Sequence, residues 1–111
     1  MFVEERVYTM RSGRSRDFIK DYEETGREIQ ELCLGKTLGA YNTQFGAANQ
    51  IVMMWKFDSL QDRNERFETL LQRKDWQEYL ERNHPFVLKM ENKMLVPLPF
   101  FKTRLKSPTD V

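Results

Sequence analysis

Residues 2–10, Phe-Val-Glu-Glu-Arg-Val-Tyr-Thr-Met, are rich in β-formers (Val3, Val7, Tyr8, Thr9) and are followed by Ser12-Gly13, which predicts a first strand and a turn. From Ser15 the apolar period lengthens. Phe18, Ile19, Tyr22, Ile29, Leu32 and Cys33 recur at three- and four-residue steps, the stripe of a helix. Gly26 interrupts that stripe at about 1 kcal/mol relative to alanine, so a kink or a close packing contact is expected there. Gly35 suits a left-handed C-terminal cap. Residues 37–45 read as a weaker second strand, Gly46-Ala47-Ala48-Asn49 as a turn, and Gln50 to Phe57 as the strongest strand of the chain. So short a loop predicts an antiparallel hairpin. Ser59 then reads as an N-cap with Asp62 as its reciprocal partner, and Phe67, Leu70 and Leu71 carry the apolar stripe to about Arg73. A second start at Asp75 buries Trp76, Tyr79 and Leu80, and His84-Pro85 ends or bends that helix. Met90 to Val96 alternates as a fourth strand, which Pro97-Leu98-Pro99-Phe100-Phe101 cannot continue. The order predicts an α+β, ferredoxin-like βαββαβ fold with an antiparallel four-stranded sheet. One domain is expected over 1–101, with a loose polar tail over 102–111.

Parity along the strands adds a quaternary expectation. The third strand is apolar on both sides, with Ile51, Met53, Trp55 and Phe57 on one and Val52 and Met54 on the other. The first strand likewise sets Val3 and Val7 against Phe2, Tyr8 and Met10. Helices from one chain cover one face of a sheet, and a bare patch of Val, Met and aromatic side chains is rare on a monomer. A homodimer is therefore expected, with a higher assembly left open, and Leu98-Pro99-Phe100-Phe101 is placed to reach the partner.

Composition narrows the function classes. Lys and Arg number 18 against 17 Asp and Glu, a formal charge of +1, without the basic excess that a nucleic-acid partner calls for. No stretch approaches the ~20 apolar residues of a membrane span. The start, Met1-Phe2-Val3-Glu4-Glu5-Arg6, is acidic where a secretory leader would be basic, and one cysteine (Cys33) makes no internal disulfide. A cytoplasmic location is the expectation. No GxGxxG, Walker-type loop, GxSxG elbow or EF-hand loop occurs. An RNA-recognition sheet would need a Lys/Arg-Gly-aromatic third strand, and this one reads Gln50-Ile51-Val52-Met53-Met54-Trp55.

Six segments together resemble the NIPSNAP family. They are Glu4-Glu5-Arg6-Val7-Tyr8-Thr9-Met10, Leu34-Gly35-Lys36-Thr37-Leu38-Gly39, Asn49-Gln50-Ile51-Val52-Met53-Met54-Trp55, Ser59-Leu60-Gln61-Asp62-Arg63, Trp76-Gln77-Glu78-Tyr79-Leu80 and Glu91-Asn92-Lys93-Met94-Leu95-Val96-Pro97. The resemblance runs in matching order from about residue 2 to 99. It implies a dimeric α/β barrel in which two four-stranded sheets face each other with helices outside. The family has no agreed enzymatic activity. Its animal members are tied to mitochondria and vesicle traffic, but nothing in this chain resembles a transit peptide. Relatives of the same barrel include cofactor-free monooxygenases and haem enzymes, an analogy at the level of fold.

Candidate chemistry is sparse. His84 is the sole histidine, a general base or haem ligand if functional and a helix-end residue if not. Cys/His metal sites are excluded by count, and no cofactor is expected. Arg6 and Tyr8 share a strand face with Glu4; Arg6 suits a carboxylate and Tyr8 a carbonyl or enolate, although Glu4 and Arg6 can also simply pair. Tyr22, Tyr41, Trp55 and Trp76 are core residues in the first instance, or the lining of a sheet–helix cleft for a flat aromatic ligand. Cys33 reads as an inert thiol. Two functions remain open: a small-molecule-binding or scaffold barrel dimer, or a cofactor-free monooxygenase or isomerase using Arg6, Tyr8 or His84 on a small aromatic or enolisable compound.

Overall fold

The computed structural model describes residues 1–105. Its strands are β1 (Phe2–Met10), β2 (Gly39–Asn42), β3 (Gln50–Phe57) and β4 (Val87–Leu95), in the order β2-β3-β1-β4 with every pairing antiparallel. Helices α1 (Ser15–Asp21) and α2 (Arg27–Leu34) are joined by a π-helical turn, Tyr22–Gly26. Helices α3 (Leu60–Leu71) and α4 (Lys74–Asn83) form the second helical connection, and the short α5 (Pro99–Lys102) follows β4. This is the expected α+β, ferredoxin-like arrangement.

Strand register decides what faces the helices. Phe2, Glu4, Arg6 and Tyr8 of β1 stand opposite Phe57, Trp55, Met53 and Ile51 of β3. All four of those β3 residues are buried, so the even positions of β1 point into the helical layer. Phe18, Tyr22 and Leu34 from the first helical segment, and Phe67, Leu70, Trp76 and Tyr79 from the second, complete one core. The odd positions of β1, with Val52 and Met54 of β3 and Tyr41 of β2, form the opposite sheet face. Val3 and Lys56 at one end of that face are buried, whereas Tyr41 is 62% exposed.

Local chemistry explains most of the boundaries. The Ser59 hydroxyl accepts from the Asp62 N–H at 3.0 Å as an N-cap. Asp62 in return accepts from the N–H of Asp58, one residue ahead of the cap (2.9 Å). Arg66 donates to the Leu34 carbonyl at 3.0 Å, placing a cation at the carboxyl end of α2. Gly35 has the expected positive φ of 91°, but with ψ at −178° it leaves the helix extended instead of in a left-handed turn. The second strand is shorter than the 37–45 expected. Bonds from Leu38 N to Met54 O and Thr43 N to Gln50 O carry the pairing one residue past each end, and Phe45 is left 89% exposed. The fourth strand begins at Val87 instead of Met90: Pro85 sits in a 3-10 turn (His84–Phe86), where its missing N–H is harmless, and an irregularity at Thr9/Met10 lets Val87 pair with Met10. Of the expected tail, Lys102 closes α5, while residues 106–111 lie outside the described residues.

Gly26 is buried at the end of the π turn. A Cβ there would come within 2.5 Å of Tyr79 Cζ on α4, so the close contact expected from sequence is with that ring. Overpacking a core site costs about 1–3 kcal/mol and exceeds the helix-propensity gain of alanine, about 1 kcal/mol. Gly26→Ala is expected to lower stability by about 1–2 kcal/mol in urea denaturation; an unchanged or raised midpoint would show that the Tyr79 ring is not locked against the turn.

Candidate functional site

A cavity of about 320 Å³ lies between the β1/β3 surface and the helices. Phe18, Met53, Phe67, Leu70, Trp76 and Met90 supply its apolar wall, and Arg6, Tyr8, Tyr22, Gln30, Arg63, Tyr79, Asn83 and His84 its polar groups. Among the described residues no Asp, Glu or Lys lines it.

The polar wall is organised by Glu4, which is 4% exposed. Its carboxylate accepts from Arg6 Nε (2.8 Å), from Arg63 Nε (2.7 Å) and Nη2 (3.3 Å), and from Asn92 Nδ2 (3.4 Å). Arg6 comes from the same strand, Arg63 from α3 and Asn92 from β4, so one carboxylate ties three elements. Both guanidiniums also lie over the Phe67 ring, 4.5 Å (Arg6) and 4.3 Å (Arg63) from its centroid. Burial pushes the Glu4 carboxyl up, but the hydrogen bonds and charges of Arg63 and Arg6 outweigh it and hold the pKa below its ordinary 4.5. Burial likewise acts to lower the Arg6 pKa; Tyr8 and Glu4 overcome it, so Arg6 remains a cation.

Three tyrosines converge behind this cluster. Arg6 Nη1 donates to the Tyr8 hydroxyl at 3.3 Å, and Tyr22 donates to Gln30 Oε1 at 2.6 Å. The π turn matters here, because it starts at Tyr22 and ends at the glycine that admits Tyr79. Burial, then electrostatic coupling to Tyr8 and Glu31, pushes the Tyr22 phenol up; burial, then coupling to Asp21, Tyr22 and Tyr8, does the same to Tyr79. Both stay protonated as neutral donors near neutral pH.

Of the sequence candidates, Arg6, Tyr8, Tyr22 and Trp76 meet in this cavity, and His84 reaches its rim as an exposed side chain. Trp55 does not line it. It is 0% exposed, within the sheet–helix core on the strand opposite Glu4. Tyr41 lies elsewhere too: pairing opposite Val52 turns it toward the other sheet face, and it borders a separate crevice of about 210 Å³ along the β2 edge. Arg63, Gln30, Asn83 and the cavity role of Tyr79 were not singled out from sequence. Arg63 had a visible signal, a cation at i with Phe67 and Leu70 at i+4 and i+7 on the buried stripe. Among the described residues no group of three His, Cys, Asp or Glu side chains is placed to hold a metal ion.

Removing one partner of a buried, hydrogen-bonded ion pair costs about 3–5 kcal/mol, several times the value of a surface pair. Glu4→Gln is therefore expected to destabilise the fold by about 3 kcal/mol, read by denaturant titration. Because the folded-state pKa is depressed, the contribution of Glu4 is present above pH 4.5 and is lost as pH falls through the lowered value. Between about pH 5 and pH 3 the wild type is expected to lose stability more steeply than Glu4→Gln. Parallel curves would contradict the assignment.

The NIPSNAP family model matches residues 3–102. The chain is similar to a NIPSNAP family protein from Agrobacterium tumefaciens, with 34% identity over 97% of this chain and 90% of that one and a TM-score of 0.87. It is also similar to an uncharacterized NIPSNAP-like domain protein from Burkholderia xenovorans, with 39% identity over 89% of this chain and 86% of that one and a TM-score of 0.86. A putative antibiotic biosynthesis monooxygenase from Nitrosomonas europaea aligns over 88% of this chain and 99% of its own at a TM-score of 0.64 and 8% identity, a likeness of fold alone. No curated protein matches. With its family match over nearly its whole length and close structural relatives of the same kind, the chain belongs to the NIPSNAP family.

Proposed function

We propose that this NIPSNAP chain is a small-molecule-binding domain that works as a homodimer and holds an aromatic or largely apolar compound in its sheet–helix cavity. The observation carrying the proposal is the cavity itself. At about 320 Å³ it is at the lower end of the range for small-molecule sites, and it combines an apolar wall with a few convergent polar groups. The Trp76–Tyr79 pair (centroids 4.9 Å) and the stacked Phe18–Tyr22 pair (6.3 Å, 4° between planes) offer flat surfaces suited to a planar ligand.

Support for the dimer comes from the second sheet face, where Val7, Val52 and Met54 are half-buried and Tyr41 is exposed. The nearby C-terminal segment holds Val96, Leu98 and Phe100 at 72%, 63% and 65% exposure, apolar surface that a second copy would cover. Among the described residues no helix is long and apolar enough to cross a membrane, and Cys33 is a free thiol, in keeping with a reducing cytoplasm.

The alternative is turnover of an enolisable or aromatic compound by a cofactor-free monooxygenase or isomerase. Donors such as Arg6 and Tyr8 would stabilise an enolate, which favours it. Proton abstraction also needs a base inside the cavity. Glu4 is occupied by two guanidiniums, and His84 is an exposed rim residue. Binding is therefore the stronger reading. In a titration of the labelled protein with 2-naphthamide, amide shifts are expected at Tyr22, Gln30, Trp76 and Leu80. Sedimentation is expected to show a species of twice the 13.4 kDa chain mass. A clean 13.4 kDa species at micromolar concentration would exclude the dimer, and silence at those amides with both 2-naphthamide and its carboxylate analogue 2-naphthoate would exclude a pocket of this class.

A further inference from the structure

The cavity wall carries more positive charge than the fold uses. Among the described residues its lining holds two guanidiniums and no carboxylate; Glu4 behind it is shared between both, while Asp21, which accepts from Asn83, is paired with Arg82. The local charge is thus one unit positive in a largely desolvated site, since the Arg6 and Arg63 side chains are 15% and 22% exposed. The two arginines are not equivalent. Arg63 spends all three nitrogens within the protein: Nε and Nη2 on Glu4, and Nη1 on Asn64. Arg6 bonds Glu4 through Nε and Tyr8 through Nη1, and its Nη2 has no protein acceptor among the described residues.

A guanidinium has five N–H donors, and Arg6 keeps both N–H groups of Nη2 in reserve. That Nη2 is not sealed in the core, because it is not among the occluded unpartnered atoms. Tyr8 adds to these donors. Its oxygen already accepts from Arg6, so its own proton is left to donate, and no acceptor for it is present among the described residues. Arg6 and Tyr8 are two apart on β1 and line the same cavity.

We infer that the ligand of this cavity carries a carboxylate or an equivalent planar oxyanion, bound by Arg6 Nη2 together with the Tyr8 hydroxyl. The inference rests on the pocket reading above and names its ligand class, an aromatic or apolar monocarboxylate. Arginine matches a planar two-oxygen anion edge to edge, and such charge-assisted bonds are about twice as strong as neutral ones. A single positive charge in excess balances a monoanion and leaves a second negative charge unpaired and desolvated. The aromatic walls take the rest of the molecule. Glu4 acts as the positioning residue that aims the free Nη2 of Arg6, and it touches no ligand itself.

The test uses two probes of the same shape, 2-naphthoate and the neutral 2-naphthamide, titrated into the full-length protein and followed by amide chemical shifts. Wild type is expected to bind the carboxylate at least about tenfold more tightly than the amide. Arg6→Gln is expected to abolish that preference, and Tyr8→Phe to reduce it by about five- to tenfold, each variant losing more affinity for 2-naphthoate than for 2-naphthamide. Retained amide binding shows that each variant is folded; should Arg6→Gln not fold, Tyr8→Phe and the wild-type preference decide. Equal binding of the two probes, or an unchanged preference in Tyr8→Phe, overturns the anion inference and leaves the pocket standing. Binding of neither probe overturns the pocket reading, and this inference with it.

Discussion

A buried carboxylate shared by two guanidiniums is the constraint on which the site depends. Glu4 sits at a position of β1 that points into the helical layer, where an isolated charge would be prohibitive. It is tolerated because Arg6, Arg63 and Asn92 reach it from one strand, one helix and the edge strand. The ties run both ways. Without Glu4 the two arginines would repel across the Phe67 ring that both cover, and α3 would lose its polar contact with the sheet.

The cavity persists because its walls are held from several sides. The π turn carries Tyr22 and Gly26 in one five-residue segment, so one local distortion places a phenol at the cavity and opens room for another from α4. Arg82 of α4 grips Asp21 with both Nε and Nη2 at 2.9–3.2 Å, pinning that helix beside the same turn. Tyr22 is further fixed by Gln30, about two turns along the same helical segment and 2% exposed. Side chains restrained in this way cannot simply collapse into the space between them. Pre-organisation of this kind favours binding because little order remains to be imposed by the ligand.

Much of this was legible in the residues, for identifiable reasons. Period-two alternation placed Glu4, Arg6 and Tyr8 on one face of β1, and the interruption of apolar parity there marked the polar wall of the cavity. Ser59 and Gly26 announced their roles through capping chemistry and through an otherwise unfavourable glycine. What escaped was set by tertiary geometry. Arg63 and Gln30 belong to helices, and only docking shows which turn meets the sheet. Trp55 and Tyr41 read as pocket aromatics by residue type, but register places Trp55 within the closed core and Tyr41 on the other face. The early start of β4 depended on an irregularity in β1 that no local pattern encodes.

Family membership and fold likeness leave the chemistry of the interior to be argued from the side chains alone, and there the donors outnumber the acceptors. A crystal structure of the protein soaked with 2-naphthoate examines that imbalance directly. The carboxylate is expected within hydrogen-bond distance of Arg6 Nη2 and the Tyr8 hydroxyl, with the rings between the Trp76–Tyr79 and Phe18–Tyr22 pairs and the Glu4 bridges intact. A naphthoate bound with its carboxylate turned away from Arg6, or a cavity closed by its own side chains, would contradict the central claim.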